Sequence, residues 1–155
     1  YERVSPMLPN RERQLPLELR KRDDTLVLFL DTRETMGEGA FLAPMVAVIL
    51  ENDPIKAREL ARKDLSIYLD LPNYRNNLLR IGFTEDDLNE GGSDRLLDAL
   101  RPWGDLQKIS EEVQGHFDAG ADHVCIQLVV DQQDQHSFKN GLPIDQWRLL
   151  AEALL

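Results

Sequence analysis

Trp103-Gly104-Asp105, Leu106 to Asp118, Ala119-Gly120-Ala121-Asp122 and His123 to Val130 run together as WGDLQKISEEVQGHFDAGADHVCIQLVV. This stretch decides the fold class. Asp105 is an N-cap residue type placed just before a helical period. Ile109, Val113 and Phe117 recur every four residues, which predicts the buried face of an amphipathic helix. Gly120 suits the left-handed position that closes a helix. The run His123 to Val130 is almost continuously apolar. Such a run reads as a strand buried on both faces, the pattern of a parallel sheet.

Two further apolar runs lie upstream. Thr25-Leu26-Val27-Leu28-Phe29-Leu30 predicts one buried strand and Val46-Ala47-Val48-Ile49-Leu50 another. Pro44 has no N–H to give to a ladder, so the second strand should begin after it. Asn52 or Asp53 then caps a helix that has Pro54 in its first turn. That helix places Leu60, Ala61, Leu65, Tyr68 and Leu69 on one side, and Leu71-Pro72 ends it. Shorter helices follow, from Asn73 to Ile81, from Thr84 to Leu88, and from Ser93 to about Leu100. Pro143-Ile144-Asp145 opens a last helix anchored by Trp147, Leu150 and Leu154. Strands alternating with helices predict an α/β fold with a parallel sheet or barrel. Residues 1–24, rich in proline and charge, read as an N-terminal arm before a domain spanning 25–155. The stretch from Asp131 to Gly141 reads as a loop.

Composition narrows the function. The chain has 155 residues, enough for one domain, and 42% of them are hydrophobic. The formal net charge of −10 argues against non-specific nucleic-acid binding, which needs phosphate neutralisation. It argues equally against docking to anionic lipid. Arg11, Arg13, Arg20, Lys21 and Arg22 make only the leading segment basic. No apolar run approaches transmembrane length, so no membrane association is expected. The start lacks a signal-peptide pattern and an initiator Met, so the chain is expected to begin inside a longer reading frame. A single cysteine, Cys125, leaves no internal disulfide and no cysteine-rich zinc site, which fits a cytoplasmic protein. Set among Val124 and Ile126, Cys125 reads as a small core residue.

Few side chains suggest chemistry. Gly37-Glu38-Gly39 lacks the third glycine of a dinucleotide loop, and no phosphate loop, zincin or nucleophile-elbow motif occurs. His116, His123 and His136 are not spaced as metal ligands, so no metal is expected. His116 falls on the polar side of its helix and reads as a surface histidine. His123 opens its strand. In (β/α) barrels that end is the stability face, and chemistry sits at the C-terminal end. Glu51, Asn52 and Asp131 stand at C-terminal ends, although capping and turn roles explain them too. Gln127 is an amide inside an apolar strand. Left unpartnered in a core it would cost about 1–3 kcal/mol, so a side chain or a ligand should meet it. Trp103 fits either a core or the wall of a mouth facing a flat ring. Gln127 and Trp103 are therefore the two candidate cofactor contacts. Asn73-Tyr74-Arg75-Asn76-Asn77 is a polar patch suited to solvation, or to contact with a substrate or a partner subunit.

The ordered motifs carry a resemblance. They are Phe41-Leu42-Ala43-Pro44, Val46 to Glu51, Asp53-Pro54 with Ala57-Arg58, and Tyr68-Leu69 with Leu71-Pro72-Asn73-Tyr74. Asn76-Asn77-Leu78, Gly82-Phe83-Thr84, Gly92-Ser93-Asp94-Arg95-Leu96, Trp103-Gly104-Asp105 and Ala119 to Val124 follow in order. Together they resemble the C-terminal part of the luciferase-like monooxygenase superfamily, in its deazaflavin (coenzyme F-420)-dependent oxidoreductase branch. The likeness runs from about Met36 to Leu155. It implies the C-terminal half of a (β/α)8 TIM-type barrel, with outer helices and a helical insert. It also implies hydride transfer between deazaflavin, or FMN, and a small organic substrate. A whole barrel needs about 250 residues. The earlier strands that carry most of the family's coenzyme and catalytic contacts have no counterpart here. No catalytic residue is therefore carried over, and the chain alone is expected to hold a partial site or no cofactor. A half barrel has open sheet edges. The expectation is a homo-oligomer or a complementary N-terminal half-barrel partner; the rival is a non-catalytic α/β interaction module.

Overall fold

Pro44, with no N–H to donate, stands just ahead of the first strand, β1 (Met45–Val48). Residues 33, 35–37, 39–131 and 143–155 are described by the computed structural model. The apolar run Thr25–Leu30, the arm 1–24, the loop beyond Asp131 to Gly141, and His136 lie outside the described residues. After β1 come α1 (Pro54–Leu69), α2 (Pro72–Arg80), α3 (Glu85–Leu88), α4 (Asp94–Leu100) and α5 (Leu106–Asp118). Then follow β2 (Cys125–Leu128) and α6 (Ile144–Leu154). Among the described residues this is an α/β structure, mostly helical, with one short parallel sheet of two strands.

The helix starts follow from their caps. Asp53 accepts from the Ile55 N–H at 2.9 Å, with Pro54 in the first turn. Thr84 and Asp87 form a reciprocal capping box around α3. Ser93 accepts from the Leu96 N–H and Asp105 from the Lys108 N–H. Among the described helices, α2 and α6 start without a side-chain cap, and Pro72 at the first position of α2 removes one of the N–H groups a cap would serve. Gly120, at φ +95°, turns the chain out of α5.

The strands are paired in register, Met45 with Cys125 through Val48 with Leu128. Alternate residues point to opposite faces. On one face, Val46, Val48 and Leu128 join Ile109 and Val113 of α5 and Leu150 of α6. On the other, Ala47, Ile49 and Val129 merge with the core of the helical insert. There Ala57 and Ala61 of α1 are fully buried, and α1 packs on α4. Beyond β1, the Ile49 N–H donates to Pro102 O at 2.9 Å, and the Gly104 N–H donates to Ile49 O at 3.1 Å. Trp103 is thereby bridged in parallel to Ile49.

Three expectations are corrected. The strands are shorter than their apolar runs: Ile49 pairs with Trp103 rather than with β2. Cys125 is exposed, and Ile126 and Gln127 are half-buried, so the described residues do not cover β2 on both faces. The face of α5 is also rotated from the expected one. His116 is buried at 5% exposure, and Phe117 stands 42% exposed. Helical geometry gives the reason. At about 100° per residue, the position seven after Ile109 returns to within about 20° of it, while the position eight after lies about 80° away.

Candidate functional site

Trp103 sits half-buried where the connection after α4 meets the end of β1. Its indole Nε1 donates to Asp98 Oδ1 at 2.8 Å. Asp98 also receives Arg58 Nε at 2.9 Å and Arg58 Nη2 at 2.6 Å. Arg58 Nη1 reaches Asp94 at 2.8 Å. Asp94 and Asp98 are four positions apart on α4, so one guanidinium from α1 can meet both. The Lys108 ammonium lies 4.0 Å from the Trp103 ring centroid, and the Arg58 guanidinium carbon lies 5.9 Å from it.

The electrostatics of this cluster are settled by its hydrogen bonds. Burial works against the Asp98 carboxylate. The hydrogen bonds from Arg58 and Trp103, with the charges of Arg58 and Lys108, outweigh it and hold Asp98 below the usual carboxylate range. The same Asp98 bond raises Arg58 above its ordinary value. A carboxylate so held stays ionised at neutral pH and has little proton affinity to offer a substrate. The cluster positions the ring of Trp103; it is not an acid–base pair. The surroundings of Trp103 were partly legible: the Asp94/Asp98 spacing puts two carboxylates on one helical face. Arg58, which the helical pattern turns outward, gave no sign of its partner.

Gln127 stands in the middle of β2, beside Ala47. It is half-buried, so its amide does not bear the cost of full burial, and the requirement for an internal partner is lifted. Gln127 and Trp103 occupy the same face on opposite sides of β1, with Trp103 one pair higher beside Ile49. Strand spacings put their Cα atoms about 12 Å apart, which does not bring them into contact.

The other candidates have local duties. Glu51 accepts from the Asp53 N–H at 2.9 Å. Asp131 pairs with Lys63 at 3.1 Å, tying the end of β2 to α1. Asn52 is exposed. In the polar patch, Arg75 binds Glu85 and the Leu88 carbonyl, and Tyr74 meets Tyr68 with ring centroids 5.0 Å apart. Asn77 accepts from Arg80. The patch braces the insert. His123 is exposed at the N-terminal end of β2, where its backbone N–H donates to Leu42 O. His116 is held below its ordinary value by burial.

At the N-terminal ends of both strands lies a staple with no local sequence signal. Asp122 accepts from the Leu42 N–H at 2.8 Å and pairs with Arg33. Arg33 donates further to Gly120 O at 2.9 Å and to Ala40 O at 2.7 Å. The Leu42 and Arg33 bonds hold the Asp122 carboxyl below the usual range. Among the described residues, no group of three or more His, Cys, Asp or Glu could hold a metal ion. No helix among them is long and apolar enough to cross a membrane. No family model, curated protein or solved structure matches the chain.

Proposed function

We propose that the chain is the C-terminal part of a luciferase-like (β/α) barrel oxidoreductase. It would serve hydride transfer between coenzyme F-420 and a small organic substrate in the cytoplasm. One observation carries this reading: β1 and β2, consecutive in the chain, lie side by side and parallel with only helices between them. Parallel neighbours need a crossover, and a helical one is the unit from which barrels are built. The motif order from Phe41 to Val124 supplies the family and the coenzyme. FMN is the alternative coenzyme. In this reading Gln127, from a strand, and Trp103, held by Asp98, are the chain's contribution to the coenzyme site. The catalytic groups come from an N-terminal half-barrel or a second copy.

Titrating the purified chain with coenzyme F-420, and separately with FMN, tests the reading. The expected result is a shift of the deazaflavin absorbance that Gln127→Leu weakens several-fold. A folded chain that leaves both spectra unchanged, alone and after mixing with a barrel N-terminal half, would refute it. A non-catalytic interaction module is the second reading. The apolar side chains Ile144, Trp147 and Leu149, exposed on α6, favour it.

A further inference from the structure

One sheet face is open at the N-terminal ends of its strands. Exposure alternates strictly there. Ala43 and Met45 are exposed while Leu42, Pro44 and Val46 are buried, and His123 and Cys125 are exposed on either side of a buried Val124. Alternate residues of an extended chain share a face, so His123 and Cys125 stand on one side. The register sets Met45, 61% exposed, beside Cys125. The same ladder runs on past the strand ends: the Cys125 N–H donates to Pro44 O and the His123 N–H to Leu42 O. Ala43 is therefore the neighbour of His123, and its small side chain leaves the imidazole room to lean toward the other two. Toward the C-terminal ends of this face, Ala47, Ile49 and Val129 are covered by the helical insert.

A thiol, a thioether and an imidazole thus gather on open surface. Neighbouring strands lie about 4.8 Å apart, and two residues span about 7 Å along one strand. Exposed side chains of this length close those gaps around one ion at the usual bond lengths of about 2.0–2.3 Å. The donors select the ion. Thiolate and thioether are soft ligands that favour Cu(I), whereas hard cations need carboxylates. Asp122, next to His123 in the chain, is already engaged by Arg33 and the Leu42 N–H. Among the described residues no group of three or more His, Cys, Asp or Glu competes for a metal. Histidine spacing along the chain does not bear on this set, because Met45 joins it across the sheet.

We propose that Met45, His123 and Cys125 form a surface site for one Cu(I) ion, held by two sulfurs and one imidazole nitrogen. The Cys125 thiol releases its proton to water as the ion binds, so a thiolate meets the metal and no electron moves. The site stands on strand register and not on the barrel reading, and either can fail alone.

The test offers the full chain Cu(I) as its bicinchoninate complex, without oxygen, and follows the loss of the complex's colour. One ion per chain should transfer, with the chain still a monomer in sedimentation. Removing even a partner of a metal ligand costs about tenfold or more in affinity, so Met45→Leu and His123→Gln should each weaken binding at least that much. Both positions are exposed, and circular dichroism checks that each variant keeps the parent fold. X-ray absorption at the copper edge of the parent chain is the independent measurement. It should show two sulfurs and one nitrogen around the ion. Absence of transfer overturns the proposal. So does parental affinity in both variants, which would leave a lone thiol as the binder. One ion shared by two chains overturns it too, as does displacement of the copper by an equal amount of Zn(II).

Discussion

A histidine buried on the same helix as Ile109 and Val113 is a cost in acid. Burial lowers the folded-state value of His116, so the unfolded chain takes up the proton first. Stability is therefore fully present above the unfolded value of about 6.5 and falls as pH drops below it toward the folded value. His116→Leu removes this dependence. Urea midpoints at about pH 7.5 and about pH 5 should differ less for the variant than for the parent chain. Asp87 acts in the opposite sense. Bonds from Ser93 and the Thr84 backbone lower it to about 2. Its contribution is present above the usual carboxylate range and is lost as pH falls through about 2. Neither environment was readable one residue at a time. His116 was assigned to the surface because the helix was read in steps of four, whose drift places the true stripe one position earlier. Cys125 was assigned to the core because an apolar run does not say how many of its faces are covered.

Helix boundaries were the legible layer. Asp53, Thr84, Ser93 and Asp105 cap as their residue types predict, since a cap needs only a short oxygen-bearing side chain at one backbone position. The contact is local, so the sequence contains all of it. Asp105→Ala should cost about 1 kcal/mol, read as a lower urea midpoint with an unchanged slope. Strand lengths were less legible, because Ile49 leaves the sheet for Trp103 through backbone bonds that no side chain announces. The candidate site lies between these cases. Trp103 was singled out by its place in the chain, but the Arg58 and Asp98 that hold it come from two helices separated by 40 positions. The Arg33–Asp122 staple spans 89 positions and leaves no trace in either neighbourhood.

At the scale of the molecule, the parallel pair β1–β2 sets the order of assembly. Its partners stand 80 positions apart, as do Leu42 and Asp122 at its foot. Closing so long a loop costs about 4 kcal/mol of chain entropy beyond the constant term, to be offset by a ladder four residues long. The contacts of α1 with α2 and of α3 with α4 close much shorter loops. The helical insert should therefore acquire protection first and the strands last. Pulsed hydrogen exchange checks this. The Leu65 and Leu97 amides should be protected before those of Cys125 and Val129, which donate to Pro44 O and Val48 O. A chain assembled in this order carries its sheet unformed through most of its folding time. The slow step is then an encounter between distant strands, and its rate is set by how the insert, already folded, shortens the path between them.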